Sequence, residues 1–336
     1  MRLRQKHYTY SQSPFKKGKV TCPVCGKTHH YHCSVTEDGG LAICKHTSSE
    51  NQAQDGRYIH VLSTVPQKGF ISASSTSKKE VVTERAEADR LHAVYSALLS
   101  RLELIPTHGD ALLDERGFSD TTIAYNLYAS VPDEAEGNET ARTLAQSLDL
   151  KGVPGFYKED ECWRFKTTIK GFYVPYRDEH GHIVGLQIRR DGNPDPKYLW
   201  LTSADKVEGA SPGSPLHFVK PEIAERIGEV IITEGALKAD RISDFTDRAV
   251  VALAGVTAMT PDKFVAALRQ AFPKLRKAII AFDIDWKEKL EVKAALMRMQ
   301  RTIRQFVAVE ILTWDAALGK GFDDALYLAI RGQNNG

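Results

Sequence analysis

The sequence is notable first for what it lacks. No apolar run reaches membrane-spanning length, and the amino terminus carries no signal-type hydrophobic segment. A helical membrane protein is thereby excluded, and the expectation is a cytoplasmic protein with no membrane partner. Net charge is also scarce: 45 Lys and Arg face 43 Asp and Glu, for a formal charge of +2. Nucleic-acid binding therefore cannot be argued from the total and has to be sought in local distribution. There is no phosphate loop of the form GxxxxGK followed by Ser or Thr, so these 336 residues hold no ATP-driven helicase motor. Cysteine is sparse too, five in all, and four of them crowd into residues 22 to 44. That crowding points to a metal site rather than a disulfide framework.

What is present suits a folded protein of two or three domains: 42% hydrophobic and 26% charged residues over 336 positions. Residues 1 to 20 carry Arg2, Arg4, Lys6, Lys16, Lys17 and Lys19 without one acid, a basic arm able to contact phosphates or simply to stay solvated. Cys22-Pro-Val-Cys25 places two thiolates on one turn. The Gly39-Gly40 turn, between Ser34-Val-Thr and Leu41-Ala-Ile, predicts a hairpin that joins Cys33 to Cys44. These four cysteines make a zinc-ribbon-like module. His29, His30, His32 and His46 lie close by, and His32 or His46 could replace one of the later cysteines. The fifth, Cys162 beside Trp163, reads as a packed core thiol.

Residues 1–62 are thus a zinc-binding module with a basic arm, and the polar stretch 63–88 a linker. From Ala86 the pattern turns helical, with Leu91, Val94, Tyr95, Leu98, Leu99 and Leu102 on one face. A second helical passage, Asp110 to Asn126, is broken where Gly117 ends one helix and Ser119 caps the next. The acid-rich piece Asp133 to Glu139 reads as a surface loop. Phe172 to Arg177 and Ile183 to Arg190, about a turn at Glu179-His180-Gly181, predict a hairpin, with a third strand at Lys197 to Leu201. Here Arg164, Lys166, Lys170, Arg177, Arg189, Arg190 and Lys197 interleave with Trp163, Phe172, Tyr173, Tyr176 and Tyr198. Such a surface could track a nucleic-acid strand by phosphate contact and base stacking.

The last third alternates cleanly. Strands at Glu229 to Thr233, Ala249 to Leu253, Lys277 to Phe282 and Val307 to Thr313 are separated by helices near Ala236 to Phe245, Pro261 to Phe272 and Lys287 to Gln305. The alternation predicts a parallel sheet covered on both faces. Two of its strands end in carboxylates, Glu234 on the first and Asp283 and Asp285 on the third, which should meet at the carboxyl edge. Acids with no adjacent Lys or Arg repel one another unless a hard cation sits between them, and oxygen-only ligation suits Mg²⁺ or Mn²⁺. Asp323 or Asp324 could support that site or begin the final helix, with capping favoured for Asp324.

With these residues in view the chain resembles the DnaG-type primases of bacteria and phages, in the branch found on mobile elements. Thr233-Glu234-Gly235 and Phe282-Asp283-Ile284-Asp285 are similar to the glutamate and DxD signatures of the TOPRIM domain. Val174 to Arg190 followed by Pro196-Lys-Tyr-Leu199, and Leu113 to Ile123, resemble segments ahead of that domain in the replicative enzymes. The resemblance implies a multidomain α/β protein: a zinc-ribbon-like module, a helical and antiparallel-sheet primase-type subdomain over 89–220, and a TOPRIM Rossmann-like parallel domain over 221–336. It implies synthesis of short RNA primers on a single-stranded DNA template from nucleoside triphosphates, with a separate replicative helicase as a partner. Glu234, Asp283 and Asp285 would be catalytic, with Asp323 as a further ligand of Mg²⁺ and Glu234 either a ligand or a proton acceptor. Arg189, Arg190, Lys197 and Lys238 would contact template or nucleotide. Lys238 departs from the pattern, since replicative primases commonly have an acid there, and so does Trp286 after the DxD pair. A Mg²⁺-dependent nuclease and a non-catalytic nucleic-acid-binding replication factor are the competing readings.

Overall fold

The computed structural model describes residues 22, 24–25, 33–35, 41–47, 49, 51–52, 57–61, 83–192, 194–255, 258–284 and 290–334. The basic arm, His29, His30 and His32, most of the linker, Asp285 and Trp286 lie outside the described residues. The chain divides into two compact units, residues 1–79 and 80–336.

In the first unit, β1 (Cys33–Val35), β2 (Leu41–Cys44), β3 (Asn51–Gln52) and β4 (Tyr58–Val61) form an antiparallel sheet in the order β1-β2-β4-β3. The expected hairpin is present, and its register sets Cys33 directly opposite Cys44. Cross-strand partners of this kind carry their side chains to the same face, which brings the two thiols together.

The second unit opens with α1 (Ala88–Leu99), on which Leu91, Val94, Tyr95, Leu98 and Leu99 are buried, the stripe that their spacing of three and four predicts. The next passage is α2 (Pro106–Asp110), running into a π-helical turn at Ala111–Glu115, and then α3 (Asp120–Asn126). Gly117 has φ +70°, and a Cβ there would meet the Tyr327 ring at 2.2 Å, so backbone freedom and close approach both call for glycine. Ser119 Oγ accepts from the Thr122 N–H at 3.1 Å, the expected cap of α3. After β5 (Ala129–Ser130) the acid-rich piece is not a loop but the start of α4 (Glu134–Leu144). Its acids are the reason: Asp133 caps the Glu136 N–H at 2.9 Å, and Glu134 and Glu136 lie in the first turn, where the helix dipole favours negative charge.

A two-stranded ribbon, β6 (Phe156–Glu159) with β7 (Cys162–Phe165), leads to the predicted hairpin of β8 (Gly171–Arg177) and β9 (Ile183–Arg190), extended by β10 (Tyr198–Trp200). Cys162 is exposed rather than packed, because the pleat turns Trp163 and Phe165 inward and Cys162 to the other face. The sheet β10-β9-β8-β5 is covered on both sides. Tyr173, Ile183, Leu186 and Ile188 pack with α1, whereas Phe172, Val174 and Tyr176 pack with Leu112, Phe118, Tyr128, Ala236 and Leu237.

The last third holds the predicted alternation: β11 (His217–Val219), α5 (Pro221–Ile227), β12 (Glu229–Glu234), α6 (Ala236–Thr246), β13 (Val250–Leu253), α7 (Pro261–Ala271), β14 (Lys277–Ile280), α8 (Leu290–Ile303), β15 (Ala308–Ile311) and α9 (Phe322–Asn334). The sheet order is β11-β13-β12-β14-β15, with β12 to β15 parallel and the unforeseen β11 antiparallel at one edge. Val230, Ile232, Val251, Leu253, Ala278 and Ile280 face a core shared with α5, α7 and α8. Ile231, Val250, Ala252 and Ile279 face α6 and α9. Central strands buried on both faces explain the near-continuous β-branched runs. Among the described residues no helix is long and apolar enough to cross a membrane.

Candidate zinc centre and acidic crevice

The four cysteines come together. Cys25 Sγ lies 3.8 Å from Cys33 Sγ, which lies 3.7 Å from Cys44 Sγ, and the four sulfurs all fall within 4.8 Å of one another. Four thiolates about a Zn²⁺ at ~2.3 Å sit about 3.8 Å apart at the corners of a tetrahedron, so the cluster has the size that zinc takes. Cys22, Cys33 and Cys44 are buried, and the His46 N–H donates to Cys44 Sγ at 3.3 Å. Burial pushes the Cys33 thiol up; at Cys44 burial acts the same way but is outweighed by the N–H groups of His46 and Thr47, which favour the thiolate. Cys33 and Cys44 are members of the cluster together with Cys22 and Cys25, and no histidine among the described residues joins them.

In the second unit the connections run in opposite directions from the two central strands. After β12 the chain passes through α6 on one face to β13; after β14 it passes through α8 on the other face to β15. The crevice between β12 and β14 is a topological switch point, the place where open α/β sheets present ligand-binding groups at the carboxyl ends of their strands. Glu234 ends β12, and Asp283 follows β14 by three residues. The adjacency is fixed by the Ala281 N–H bonded to Ile232 O at 2.8 Å and by Thr233 Oγ1 donating to Ala281 O at 3.0 Å. Gly235 turns the chain from β12 into α6 with φ +83°, a conformation costly for any residue with a Cβ.

The acids are not left to repel one another. Lys238, on the first turns of α6, donates to Asp283 Oδ1, and Lys320 Nζ lies 3.2 Å from Asp283 Oδ2. Asp323 and Asp324, both on the first turn of α9, share Arg241 Nη1, at 2.9 and 2.8 Å. Arg241 and Asp323 are almost fully buried, at 2% and 1% exposure, and the guanidinium lies 5.5 and 4.7 Å from the Phe245 and Tyr327 rings, which stack on each other. Burial pushes the Asp323 carboxyl up, the Asp324 charge adding to it, against the opposing pull of Lys238 and Arg241. The premise that these acids lack cationic neighbours therefore fails at Asp283 and Asp323, and Asp324 ion-pairs as a first-turn acid. Glu234, Asp283 and Asp323 do not gather into a ligand cluster as tight as the cysteines among the described residues. Glu234 and Asp283 nonetheless offer carboxylate oxygens at neighbouring strand ends, the donor type that Mg²⁺ or Mn²⁺ accepts, while Asp323 on α9 is held in the buried pair with Arg241.

A buried network beside this crevice was not anticipated. Asp240 accepts from His217 Nε2 at 2.9 Å and from Tyr128 OH at 2.7 Å. The Arg177 N–H donates to His217 Nδ1 at 3.0 Å, which leaves the imidazole proton on Nε2. Burial, and next the Asp240 charge, push the Tyr128 phenol well up. The network ties α6 and β11 to β8 and to the segment before β5. It floors a cleft of about 640 Å³ rimmed by Tyr125, Arg177 and Lys220, on the α6 face rather than in the acidic crevice.

The basic residues sit differently. The Arg189 guanidinium lies 5.5 Å from the Tyr198 ring, and its Nη1 donates to Arg190 O at 2.6 Å. Arg190 Nη1 donates to Pro196 O at 2.9 Å, and Lys197 is exposed. Phe172, Tyr173 and Tyr176 cannot stack on bases: each is buried, Tyr173 and Tyr176 completely, because both faces of their sheet are covered. Trp163 and Tyr198 are half-buried.

Together these features define a mixed α/β protein of primase-like fold carrying a four-cysteine, zinc-type cluster. Solved structures that it is similar to include bacterial primase domains. The zinc-binding and RNA polymerase domains of Aquifex aeolicus primase align with a TM-score of 0.55 at 17% identity, over 74% of this chain and 60% of that one. The RNA polymerase domain of Mycobacterium tuberculosis primase DnaG aligns at 0.53 and 16%, over 73% and 84%; the same domain in a complex with double-stranded DNA gives 0.53 and 17%, over 73% and 81%. This chain thus spans 60% of the Aquifex protein's solved length, and at such identities the likeness is one of fold. Residues 223–333 match the model of a domain of unknown function, DUF3854. No curated protein matches the sequence.

Proposed function

We propose that this protein is a primase-like nucleotidyltransferase that makes short RNA primers on single-stranded DNA from nucleoside triphosphates, in the replication of a mobile element and alongside a separate helicase. The observation that carries the reading is the pair Glu234 and Asp283 at the switch-point crevice, in a chain whose fold is similar to primase cores. On this reading residues 221–336 are a TOPRIM domain, 89–220 a primase-type subdomain, 63–88 a linker and 1–62 a zinc-binding module that reads the template.

Glu234, Asp283, Asp285 and Asp323 would hold Mg²⁺ or Mn²⁺, which when bound neutralises charge on the α-phosphate under attack. Glu234 alternatively takes the proton of the attacking 3′-hydroxyl. Arg189, Arg190 and Lys197 hold backbone or triphosphate oxygens, the arginines through donors that their carbonyl contacts leave over. The exposed position of Lys197 supports that role. The buried aromatic rings take no part, so phosphate contact rather than base stacking dominates binding at this wall.

Asp283→Ala and Glu234→Ala, each checked for an unchanged circular-dichroism spectrum, should lower incorporation of labelled ribonucleotide on a single-stranded template by about a hundredfold or more. Full activity in Asp283→Ala would refute the assignment, and template shortening by the parent protein would move it to a nuclease. One observation favours a second reading, a DNA-binding replication factor without turnover: Lys238 and Lys320 already neutralise Asp283. That reading requires salt-sensitive DNA binding that survives loss of the acids, with no incorporation under either metal.

A further inference from the structure

The wall assigned to phosphate contact has an acid next to its arginines. Asp191 follows Arg190 directly and lies two residues beyond Arg189, the spacing that sets side chains on one side of a strand. A free carboxylate in that place is a ready partner for either guanidinium and repels a phosphate. It is engaged elsewhere: His108 Nε2 donates to Asp191 Oδ1 at 2.9 Å. A carboxylate only accepts, so the shared proton stands on Nε2. The other ring nitrogen, Nδ1, lies 2.7 Å from Ser130 Oγ, which accepts from the Ile105 N–H at 2.9 Å. His108 is buried, and its ring lies 5.3 Å from that of Phe172. Sheet register explains the reach of this imidazole. Ser130 pairs with Phe172, Phe172 with Arg189 and Arg189 with Tyr198, one row across β5, β8, β9 and β10. His108 on α2 lies at the Ser130 and Phe172 end of that row. Among the described residues Arg189 and Arg190 meet carbonyl oxygens and the Tyr198 ring but no carboxylate.

We propose that His108 is a positioning residue for nucleic-acid binding: by holding the Asp191 carboxylate it keeps that acid off Arg189 and Arg190 and leaves both guanidiniums open to phosphate. This role rests on the reading of the wall as a template- or triphosphate-contacting surface and adds to it a residue 83 positions before Asp191. Electrostatics sets the direction of the effect. A guanidinium paired with a carboxylate of its own chain has to release that partner before it binds a phosphate, and the released carboxylate then repels the same phosphate. The two bonds of the imidazole can be separated by substitution. Glutamine keeps an N–H donor where Nε2 stands, whereas asparagine reaches only as far as Nδ1 and keeps the bond to Ser130 alone.

The test is binding of a fluorescein-labelled single-stranded oligodeoxynucleotide of mixed sequence to the full-length, zinc-loaded chain, read by anisotropy at one fixed salt concentration, with circular dichroism checking the fold of each variant. Arg189→Ala and Arg190→Ala should each weaken binding by about tenfold. His108→Asn should weaken it by about threefold or more, and His108→Gln should bind like the parent. Asp191→Asn decides the cause. It should change affinity little in the parent background and recover the loss in the His108→Asn background, a coupling that the double-mutant cycle isolates. A general gain from removing one negative charge, or a role of His108 in packing alone, gives the same Asp191→Asn effect in both backgrounds. That equality, or parent-like affinity of His108→Asn, would overturn the assignment of His108 while leaving the wall in place. His108→Phe, which keeps a ring against Phe172 and loses the donor, carries the same prediction if His108→Asn folds poorly. Parent-like affinity in both Arg189→Ala and Arg190→Ala would instead remove the wall itself as a nucleic-acid-binding surface.

Discussion

The two candidate metal sites solve opposite electrostatic problems. In the zinc-type cluster four sulfurs are drawn within 4.8 Å of one another, and the groups that favour their ionised form are backbone N–H donors such as that of His46. In the crevice each of Asp283, Asp323 and Asp324 already has a lysine or arginine partner. The contrast implies that the first cluster depends on a metal for its fold, whereas the acids of the second are held in place by the chain's own cations.

The largest effect that could break this comparison is at the cysteines. Structural zinc in small modules contributes an apparent ~10–16 kcal/mol, far more than so short a sheet can supply. Chelation, or Cys44→Ser, should therefore abolish hydrogen-exchange protection across β1 and β2 while leaving the amides of β12 to β14 protected. Retained protection in β1 and β2 after stoichiometric zinc loss would show that the module folds without metal.

Smaller but still large is the expected cost of Arg241→Ala. It strands the buried Asp323 carboxylate and removes the guanidinium that packs beside the stacked Phe245 and Tyr327 rings, and breaking a buried pair from one side costs about 3–5 kcal/mol. The measurement is the denaturant midpoint, which should fall by the equivalent amount. A change under ~1 kcal/mol would mean that the crevice does not rely on its own cations for stability.

The smallest effect concerns pH. His92 Nδ1 accepts from the Ile183 N–H at 3.1 Å, and burial, with the neighbouring His182 and Arg177, pulls its pKa down. A histidine with a depressed folded pKa stabilises in its neutral form. The contribution is complete above the unfolded value of about 6.5 and is lost as pH falls from there through the folded value. Between pH 7.5 and 5.5 the protein should lose stability as the α1–β9 contact weakens, and His92→Gln should flatten that part of the profile. An unchanged slope would assign acid sensitivity to other groups.

Much of the architecture was legible because it rests on local periodicity. The stripe of α1, the β8–β9 hairpin, the pairing of Cys33 with Cys44 and the strand-helix alternation after Glu229 are all spacing signals. What escaped depends on partners far apart in the chain. Nothing near Asp283 in the sequence announces Lys238, 45 residues away, nor does anything near Asp323 announce Arg241, 82 residues away. The burial of Tyr173 and Tyr176 was invisible for the same reason, since an aromatic strand beside basic residues looks alike whether one face or both are covered. Asp133 to Glu139 misled through composition: an acidic run suggests a loop until its N-cap geometry is seen. The short antiparallel β11 offered too few residues for alternation to register.

The central claim, that the crevice is a primer-synthesising site, is tested most directly by mixing the full-length, zinc-loaded chain with single-stranded templates of mixed sequence, labelled ribonucleoside triphosphates and Mg²⁺ or Mn²⁺. The account predicts short, template-dependent ribonucleotide products that disappear in Asp283→Ala. Salt-sensitive template binding with no product under either metal would contradict it.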